Sequence, residues 1–546
     1  MTDRPLPHSD LVVDFAPVIA EPTSIVHRGS LAGRILLGAL VVAAPTLVTS
    51  VLLAVLFDAT LFDYFPLTSD DLVYQQQIAT FVHAGFDGGR FTNYEKPAPF
   101  DFTHFGVHGP AFPVIYGSVG RLVGWTIESG PIFNLAVLAI ATTTFITMLR
   151  LSGAQIIDLA FVLLTSWWVL FLAPTTVQET LNQAMMMIIA AFAARLLDAD
   201  NRPRTRLLIG GLALLVVASI LRPSNWIVAI PFVFVGVAPR GPRAALLAAL
   251  LASVGIPVFW LLWRYVSAPI PGAQLELGRL TSAGVLPRLV DYAVYLLSTN
   301  VTSVFDIRSF VSQPFSLHVM FESAALVAIF GVLGAGAVRR AAKARLSARV
   351  LVDLCRDTAF KVDAFVLFGL GGAFTALMVF YFGAEASHSR AMAPFLLMSM
   401  LLLVATRRRT PVVVMVVIAN ALIAPSFLSA YKDGRTDTFT YDRQRYERFR
   451  SQISSFVTFD AGSDPWCNTL LTMVYPREIV AVPAGIGLSI GEPPGAVAAP
   501  VRSKYLLVTE DGAKAFGLKA NLRHLTTTEV GELYLNLDAT CQPARP

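Results

Sequence analysis

Long apolar runs separated by short polar stretches dominate the chain from Leu36 to Ala430. They are Leu36–Phe57, Ile132–Leu149, Ile156–Ala173, Leu181–Leu197, Leu207–Leu221, Trp226–Ala238, Ala244–Trp263, Leu317–Val338, Ala364–Phe382, Ala391–Ala405 and Pro411–Ala430, eleven candidate spans. A helix needs about 20 residues to cross roughly 30 Å of hydrocarbon, so several of these are short. Leu207–Leu221 and Trp226–Ala238 either borrow polar flanks to span or form a re-entrant hairpin. Both choices leave the direction of every later segment unchanged. Leu289–Phe305 would add one more span, and is read instead as an interfacial or partly buried external helix. After Ala430 the pattern changes. "YKDGRTDTFTYDRQRYERFRSQISSF" is polar, strand-like stretches follow at Glu478–Val482 and Lys504–Val508, and "GEPPGAVAAP" punctuates them. The pattern predicts a polytopic α-helical membrane protein with about eleven transmembrane helices. Its parts are a tail at 1–33, a membrane domain at 34–430 and a small C-terminal α/β or β-rich domain at 431–546.

Composition agrees with this reading. The 546 residues are 55% hydrophobic and 14% charged, where soluble domains carry about 25% charged residues, and the mean hydropathy is +0.62. The net charge of +5 does not indicate nucleic acid, because the arginines sit at the ends of apolar runs, where they set orientation. With the N-terminus (Arg28, Arg34) in the cytoplasm, the loops on that side hold Arg150; Arg202, Arg204 and Arg206; Arg240 and Arg243; a basic stretch from Arg339 to Lys361; and Arg407–Arg409. The C-terminal domain then lies outside. The first 30 residues are polar and read as a tail rather than a cleavable signal. Of three cysteines, Cys355 falls in a cytoplasmic loop, whereas Cys467 and Cys541 fall outside, where a disulfide is expected.

The first external loop, 58–131, is too long to be a connector. Asp71–His83 has helical spacing, with Leu72, Gln75, Gln76 and Ala79 in succession and Val73, Ile78, Phe81 and Val82 adding apolar contacts. This predicts an amphipathic helix at the membrane surface, and Tyr116–Trp125 suggests a second. Just before the first of these stands "TSDD". Two readings account for Asp70 and Asp71. Thr68 or Ser69 caps the helix and the acids complement its positive end, or one carboxylate is a general base. The two are compatible.

Other external connections also carry polar groups at a membrane edge. "APTTVQETLNQ" holds Gln178 and Glu179, "LRPSNW" holds Arg222, and "FGAEASHSRAMAPF" holds Glu385, His388 and Arg390. An arginine here either grips phosphate through its forked donors or snorkels to headgroups. His108, beside Gly109 and Pro110, suits a turn or packing residue more than a catalyst. His104 and His108 are four apart, but the intervening glycine and following Gly-Pro oppose a helical metal pair.

At these residues the chain resembles the GT-C superfamily of membrane glycosyltransferases. The features are one span followed by a large external loop opening on an acidic pair (Asp70, Asp71), a His/Pro segment closing that loop ("HGPAFPVIYG"), an Arg-x-x-x-Pro start to a late span (Arg390, Pro394), and a polar C-terminal domain. The acidic pair is Asp-Asp rather than Asp-Glu, and no aromatic directly follows Arg390. The resemblance implies sugar transfer from a polyprenyl-phosphate donor to a glycan, lipid or protein acceptor, by inverting displacement, in a bacterial inner (plasma) membrane. Catalysis would fall to Asp70 as base, with Asp71 orienting it or binding sugar hydroxyls. Donor phosphate would be held by Arg390, helped by Arg222 and His388, and substrate contacts made by His108, Glu179 and Tyr74. Some members use a divalent metal and others none, and no ligand cluster in this sequence decides between them. Two competing readings are a polysaccharide polymerase or ligase, whose large loop usually comes later, and a lipid transporter or flippase, which would want internal repeats and mid-span charges.

Overall fold

The computed structural model describes residues 31–64, 69–100, 104–198, 204–269, 357–380, 386–407, 410–422, 443–473, 481–491, 501–509 and 521–539, with Cys541 and a few short pieces besides. The expected segments Leu317–Val338 and Leu289–Phe305 lie outside them except for isolated helical residues (331 and 334–336; 294 and 298), and Cys355, Thr68 and Glu385 lie outside them, as do the side chains of Ser69 and His388. The first helix is α1 (Leu31–Phe57). The loop that follows holds α2 (Ser69–Ala84), the two-residue strand β1 (Thr92–Asn93) and α3 (Ala111–Val123). The bundle continues with α4 (Ser129–Leu149), α5 (Gly153–Thr165), α6 (Trp167–Leu172), α7 (Gln178–Leu197), α8 (Thr205–Leu221), α9 (Ala229–Val237), α10 (Pro242–Ser253) and α11 (Gly255–Val266). It resumes with α12 (Thr358–Phe380), α13 (Ala386–Thr406) and α14 (Thr410–Leu422).

Among the described residues, five helical stretches are long and apolar enough to cross a bilayer: Leu31–Phe57, Ser129–Leu149, Gln178–Leu197, Pro242–Val266 and Thr358–Ala376. The outer ones display their apolar side chains. Leu36, Val51 and Val55 on α1 and Leu246, Leu250 and Leu251 on α10 are all exposed, as lipid-facing positions must be. At the centre stands α7, whose "AMMMIIAAFAA" is buried throughout except for Ile188 and Phe192; small alanines admit close neighbours and methionines fill irregular gaps. The protein is therefore a polytopic helical membrane protein.

The run Ile156–Ala173 is broken at Ser166, whose hydroxyl donates to the Val162 carbonyl (2.6 Å) and whose backbone leaves the helical region (φ −78°, ψ 88°). Such back-bonding bends helices. The short pair at 207–238 runs out and back. After Leu221 a 3-10 turn (Pro223–Val228) and α9 return until the Arg240 guanidinium meets the Thr205 hydroxyl at the start of α8 (3.2 Å), so both legs have the same length. Basic residues gather at that end of other helices too: Arg34 donates to the Leu151 carbonyl (2.9 Å) and Arg407 to the Ser152 hydroxyl. The loop between α1 and α4 lies at the opposite end.

The C-terminal part is a helix, α15 (Arg443–Ser454), against β2 (Thr469–Thr472), β3 (Gly487–Ile490), β4 (Tyr505–Val508), β5 (Leu522–Thr527) and β6 (Glu532–Asn536). The expected strand at Lys504–Val508 is present as β4. Of Glu478–Val482, only Ala481 and Val482 are described, and they lie in a buried turn rather than a strand. The sheet order is β1-β3-β2-β4-β6-β5. The first four are parallel, with Leu470 opposite Leu488 and Tyr505, and β6 and β5 are antiparallel additions. Phe449 and Ile453 of α15 cover one face, against Leu470, Leu488 and Leu507. Leu471, Leu506 and Val508 pack on the other with Val501. Burial on both faces is what makes the parallel strands read as apolar runs. Cys467 and Cys541 form a disulfide, their Cα atoms 5.5 Å apart.

The edge strand β1 comes from the first loop, 58–131, with Thr92 opposite Ser489. Helix α2 is consequently not a surface helix. Asp71, Tyr74, Gln75, Gln76, Gln77, Ile78 and Thr80 are all buried, because the Gln76 amide donates to the carbonyls of Val482 (3.3 Å) and Ile486 (3.1 Å) and the Thr80 hydroxyl to that of Ile486 (3.2 Å). The second helix of the loop is present as α3, earlier than the expected Tyr116–Trp125.

Candidate active site

Successive residues of a helix point about 100° apart, so Asp70 and Asp71 leave α2 in different directions. Asp71 is fully buried. Its Oδ1 accepts from the Thr176 backbone N–H (2.7 Å) and from the Tyr64 hydroxyl, tying the start of α2 to the segment leading into α7. Asp70 faces the bundle, where its carboxylate accepts a charge-assisted hydrogen bond from the Arg390 guanidinium. Arg390 stands in the opening turns of α13. Glu179, in the first turn of α7, accepts from Arg222 (3.1 Å) and lies 3.6 Å from Nε of Arg390. Arg222 follows the last residue of α8, so each of Glu179 and Arg222 also suits its helix end electrostatically.

The outcome is a chain of alternating charge: Asp70, Arg390, Glu179, Arg222. Two carboxylates balance two guanidiniums, which is how ionised groups tolerate burial. The Glu179 side chain is 3% exposed, whereas Asp70 and Arg390 keep 31% and 23%, so the cluster opens at Asp70. Tyr74, one turn after Asp70, packs against His108 (ring centroids 5.2 Å) and Phe112 (4.9 Å). Its buried hydroxyl has no hydrogen-bond partner among the described residues. His108 Nδ1 lies 3.5 Å from the Gln178 amide nitrogen. Six expected site residues therefore meet: Asp70, Arg390, Arg222, Glu179, His108 and Tyr74. Asp71 does not join them. Tyr64 and Thr176, which hold Asp71, escaped the sequence reading; the polar "PTT" before "VQET" was the one signal for Thr176, and none marked Tyr64.

Burial alone would raise the Asp70 pKa, but Arg390, His108 and Arg222 outweigh it and hold the carboxyl below its ordinary value. For His108, burial lowers the pKa; Asp70 and Glu179 oppose it, the two arginines reinforce it, and the balance favours neutral imidazole. Tyr74 is pushed well up by burial and by the adjacent Glu179 and Asp70 charges. Below the charges lies a polar layer within the bundle. Asn225 donates to the Asn182 side-chain oxygen (2.8 Å), and Gln183, fully buried, has neither amide atom paired among the described residues. Among the described residues no three His, Cys, Asp or Glu side chains come together as metal ligands would.

Fold and site together define a multi-pass membrane protein with a buried, self-neutralised charge cluster where a loop helix meets the bundle. No family model matches the chain, and no curated protein matches it. Among solved structures it is similar to ArnT from Cupriavidus metallidurans bound to undecaprenyl phosphate, at 12% identity and a TM-score of 0.40 over 94% of this chain and 100% of that one. The apo state of ArnT is similar at 13% identity and a TM-score of 0.39, over 93% and 98% of the two chains. The oligosaccharyltransferase from Archaeoglobus fulgidus, tethered with an acceptor peptide containing the NVT sequon, is similar at 12% identity and a TM-score of 0.42, over 94% of this chain and 76% of that one. The chemistry of the site rests on its own geometry.

Proposed function

We propose that the chain is a membrane glycosyltransferase that moves a sugar from a polyprenyl-phosphate donor to a glycan, lipid or protein acceptor. On this reading it sits in a bacterial inner (plasma) membrane, with the C-terminal domain and charge cluster on the extracytoplasmic side. The observation that carries the reading is the direct contact of Asp70 with Arg390, beside Arg222 and Glu179. It joins a proton acceptor to an anion-binding pair at the end of the bundle, within reach of a headgroup.

In the resting cluster Asp70 is a poor base, since Arg390 stabilises its charged form. A donor phosphate competes for the Arg390 and Arg222 guanidiniums, and as Arg390 turns to the phosphate the proton affinity of Asp70 rises. Asp70 then takes the proton of the acceptor's nucleophile as that atom bonds to the anomeric carbon from the face opposite the phosphate. The carbon–oxygen bond to the phosphate breaks and its electron pair leaves with the polyprenyl phosphate. The extra negative charge develops beside Arg390 and Arg222, the arrangement that lowers such a barrier. Glu179 keeps both guanidiniums in place.

The test is transfer by the purified protein in lipid nanodiscs, with donor binding measured separately. Asp70→Asn is expected to slow transfer by about 10²–10⁴ while donor binding persists. Arg390→Ala is expected to raise the donor KM. Full activity in Asp70→Asn removes the base, and an unaltered donor KM in Arg390→Ala removes the phosphate contact.

A further inference from the structure

Behind α2 a cleft of about 810 Å³ separates the first loop from the C-terminal domain. Its floor residues, Gln75, Gln76, Ala79 and His83, lie on average about 180° around the helix from Asp70 at 100° per residue. The cleft is thus on the opposite side of α2 from the charge cluster. One wall holds Trp125, whose indole N–H is buried without a partner among the described residues and whose ring is braced by Phe133 (5.4 Å). The other wall holds Glu447, Arg450 and Ser454, spaced along one face of α15, then Thr458 and Phe459. The Phe459 ring meets His83 edge-on (5.4 Å).

The lining narrows the occupant. A lipid chain would want an unbroken apolar lining, and between Val457, Ala481 and Val482 this one carries amides, two carboxylates (Glu128, Glu447), a guanidinium and hydroxyls. A phosphate group would want unopposed cations, yet Arg450 shares its helix face with Glu447. A sugar ring has an apolar C–H face and a rim of hydroxyls that both donate and accept. Aromatic rings with an apolar body and a polar tip, interleaved with donors and acceptors of both kinds, match that chemistry. The volume lies within the range of small-molecule sites.

We propose that this cleft binds an oligosaccharide, its rings against Trp125 and Phe459 and its hydroxyls on Glu447, Arg450 and Thr458. The cleft is also wired to the reaction centre. Gln75 donates to the Thr126 carbonyl at its rim (3.1 Å) and accepts from the Thr176 hydroxyl (3.3 Å), three residues before Glu179. Identifying the bound glycan as part of the acceptor rests on the transferase reading; the binding itself does not.

The experiment applies the full-length protein in nanodiscs to an array of short pyranose oligosaccharides. Wild type is expected to be retained on a subset of the array. Ser454→Trp, an exposed position that fills the cleft mouth, and Arg450→Ala are each expected to weaken that retention by about tenfold or more, with unchanged thermal melting. Asp70→Asn is expected to bind as wild type. No retention of wild type, or wild-type retention of Ser454→Trp, overturns the proposal. Transfer activity in Asp70→Asn would sink the reaction scheme and leave the cleft standing, so the two failures are distinguishable.

Discussion

Asp70 and Asp71 are adjacent in sequence and are held by different groups. One is half-open to the cluster mouth and gripped by Arg390; the other is sealed against Tyr64 and Thr176. His104 is a second case of a polar residue defined by where it is shut away. It is buried and stacks on Phe105 (4.3 Å). Burial, helped by the Arg90 charge, brings its pKa from 6.5 down to about 4. Because the folded value lies below the unfolded one, the unfolded chain binds more protons between these limits. The contribution to stability is whole above pH 6.5 and is lost progressively as pH falls toward 4, by about 3 kcal/mol in all. Thermal melts at pH 7.5 and pH 5 should show about 2 kcal/mol of this loss in wild type and a smaller one in His104→Phe, which keeps the ring stack. Equal losses in both would remove His104 as the cause.

At the scale of the element, α2 is the structural decision on which the site depends. Its anchor is Asp71, so Asp71→Ala leaves the Thr176 N–H and the Tyr64 hydroxyl without their charged acceptor and should destabilise the fold by about 2–3 kcal/mol. Asp70→Asn, half-exposed, should cost much less. Comparable melting points for the two variants would show that Asp71 does not hold the helix. The existence of α2 and its acidic start were legible from the spacing of Leu72, Ile78 and Phe81. Its burial was not, because an amide side chain is satisfied equally by water or by protein carbonyls and the sequence does not say which. The Gln75 and Gln76 amides donate to loop carbonyls, for Gln76 more than 400 residues away in sequence. The bend at Ser166 was hidden for a related reason, since a hydroxyl that bonds back to its own helix leaves hydropathy unchanged. Arg390 and Arg222 were legible as candidates, as charges stand out at the ends of apolar runs. Their sharing of Glu179 was not, because three separate helices have to meet for it to exist.

At the scale of the molecule, the first loop and the C-terminal domain are stitched together. Strand β1 is two residues long and nothing in its composition marks it as a strand; it exists because β3 offers an edge. Around it, Gly89 donates to the Gly485 carbonyl (2.8 Å), Tyr94 to that of Ile490 (2.9 Å), and the Glu95 carboxylate accepts the N–H groups of Arg502 (2.6 Å) and Ser503 (2.9 Å). The approach is closest at Gly89 and Gly487, where backbone meets backbone. A methyl group on Gly89 would overlap the Asn468 carbonyl, and one on Gly487 would overlap Gly89 and Arg90; side chains are absent at both points because two main chains occupy the space. Gly89→Ala should therefore push β1 off the sheet edge at a cost of about 1–3 kcal/mol. Hydrogen exchange should rise first at Thr92–Asn93 and along Gly487–Ile490, while Tyr505–Val508, deeper in the sheet, stays protected. Since α2 hangs between this seam and the bundle, Asp70 should lose its fixed position in the same variant, and transfer should fall although Gly89 touches none of the charged groups. Unchanged exchange along β3 would mean that the loop is held by α2 alone.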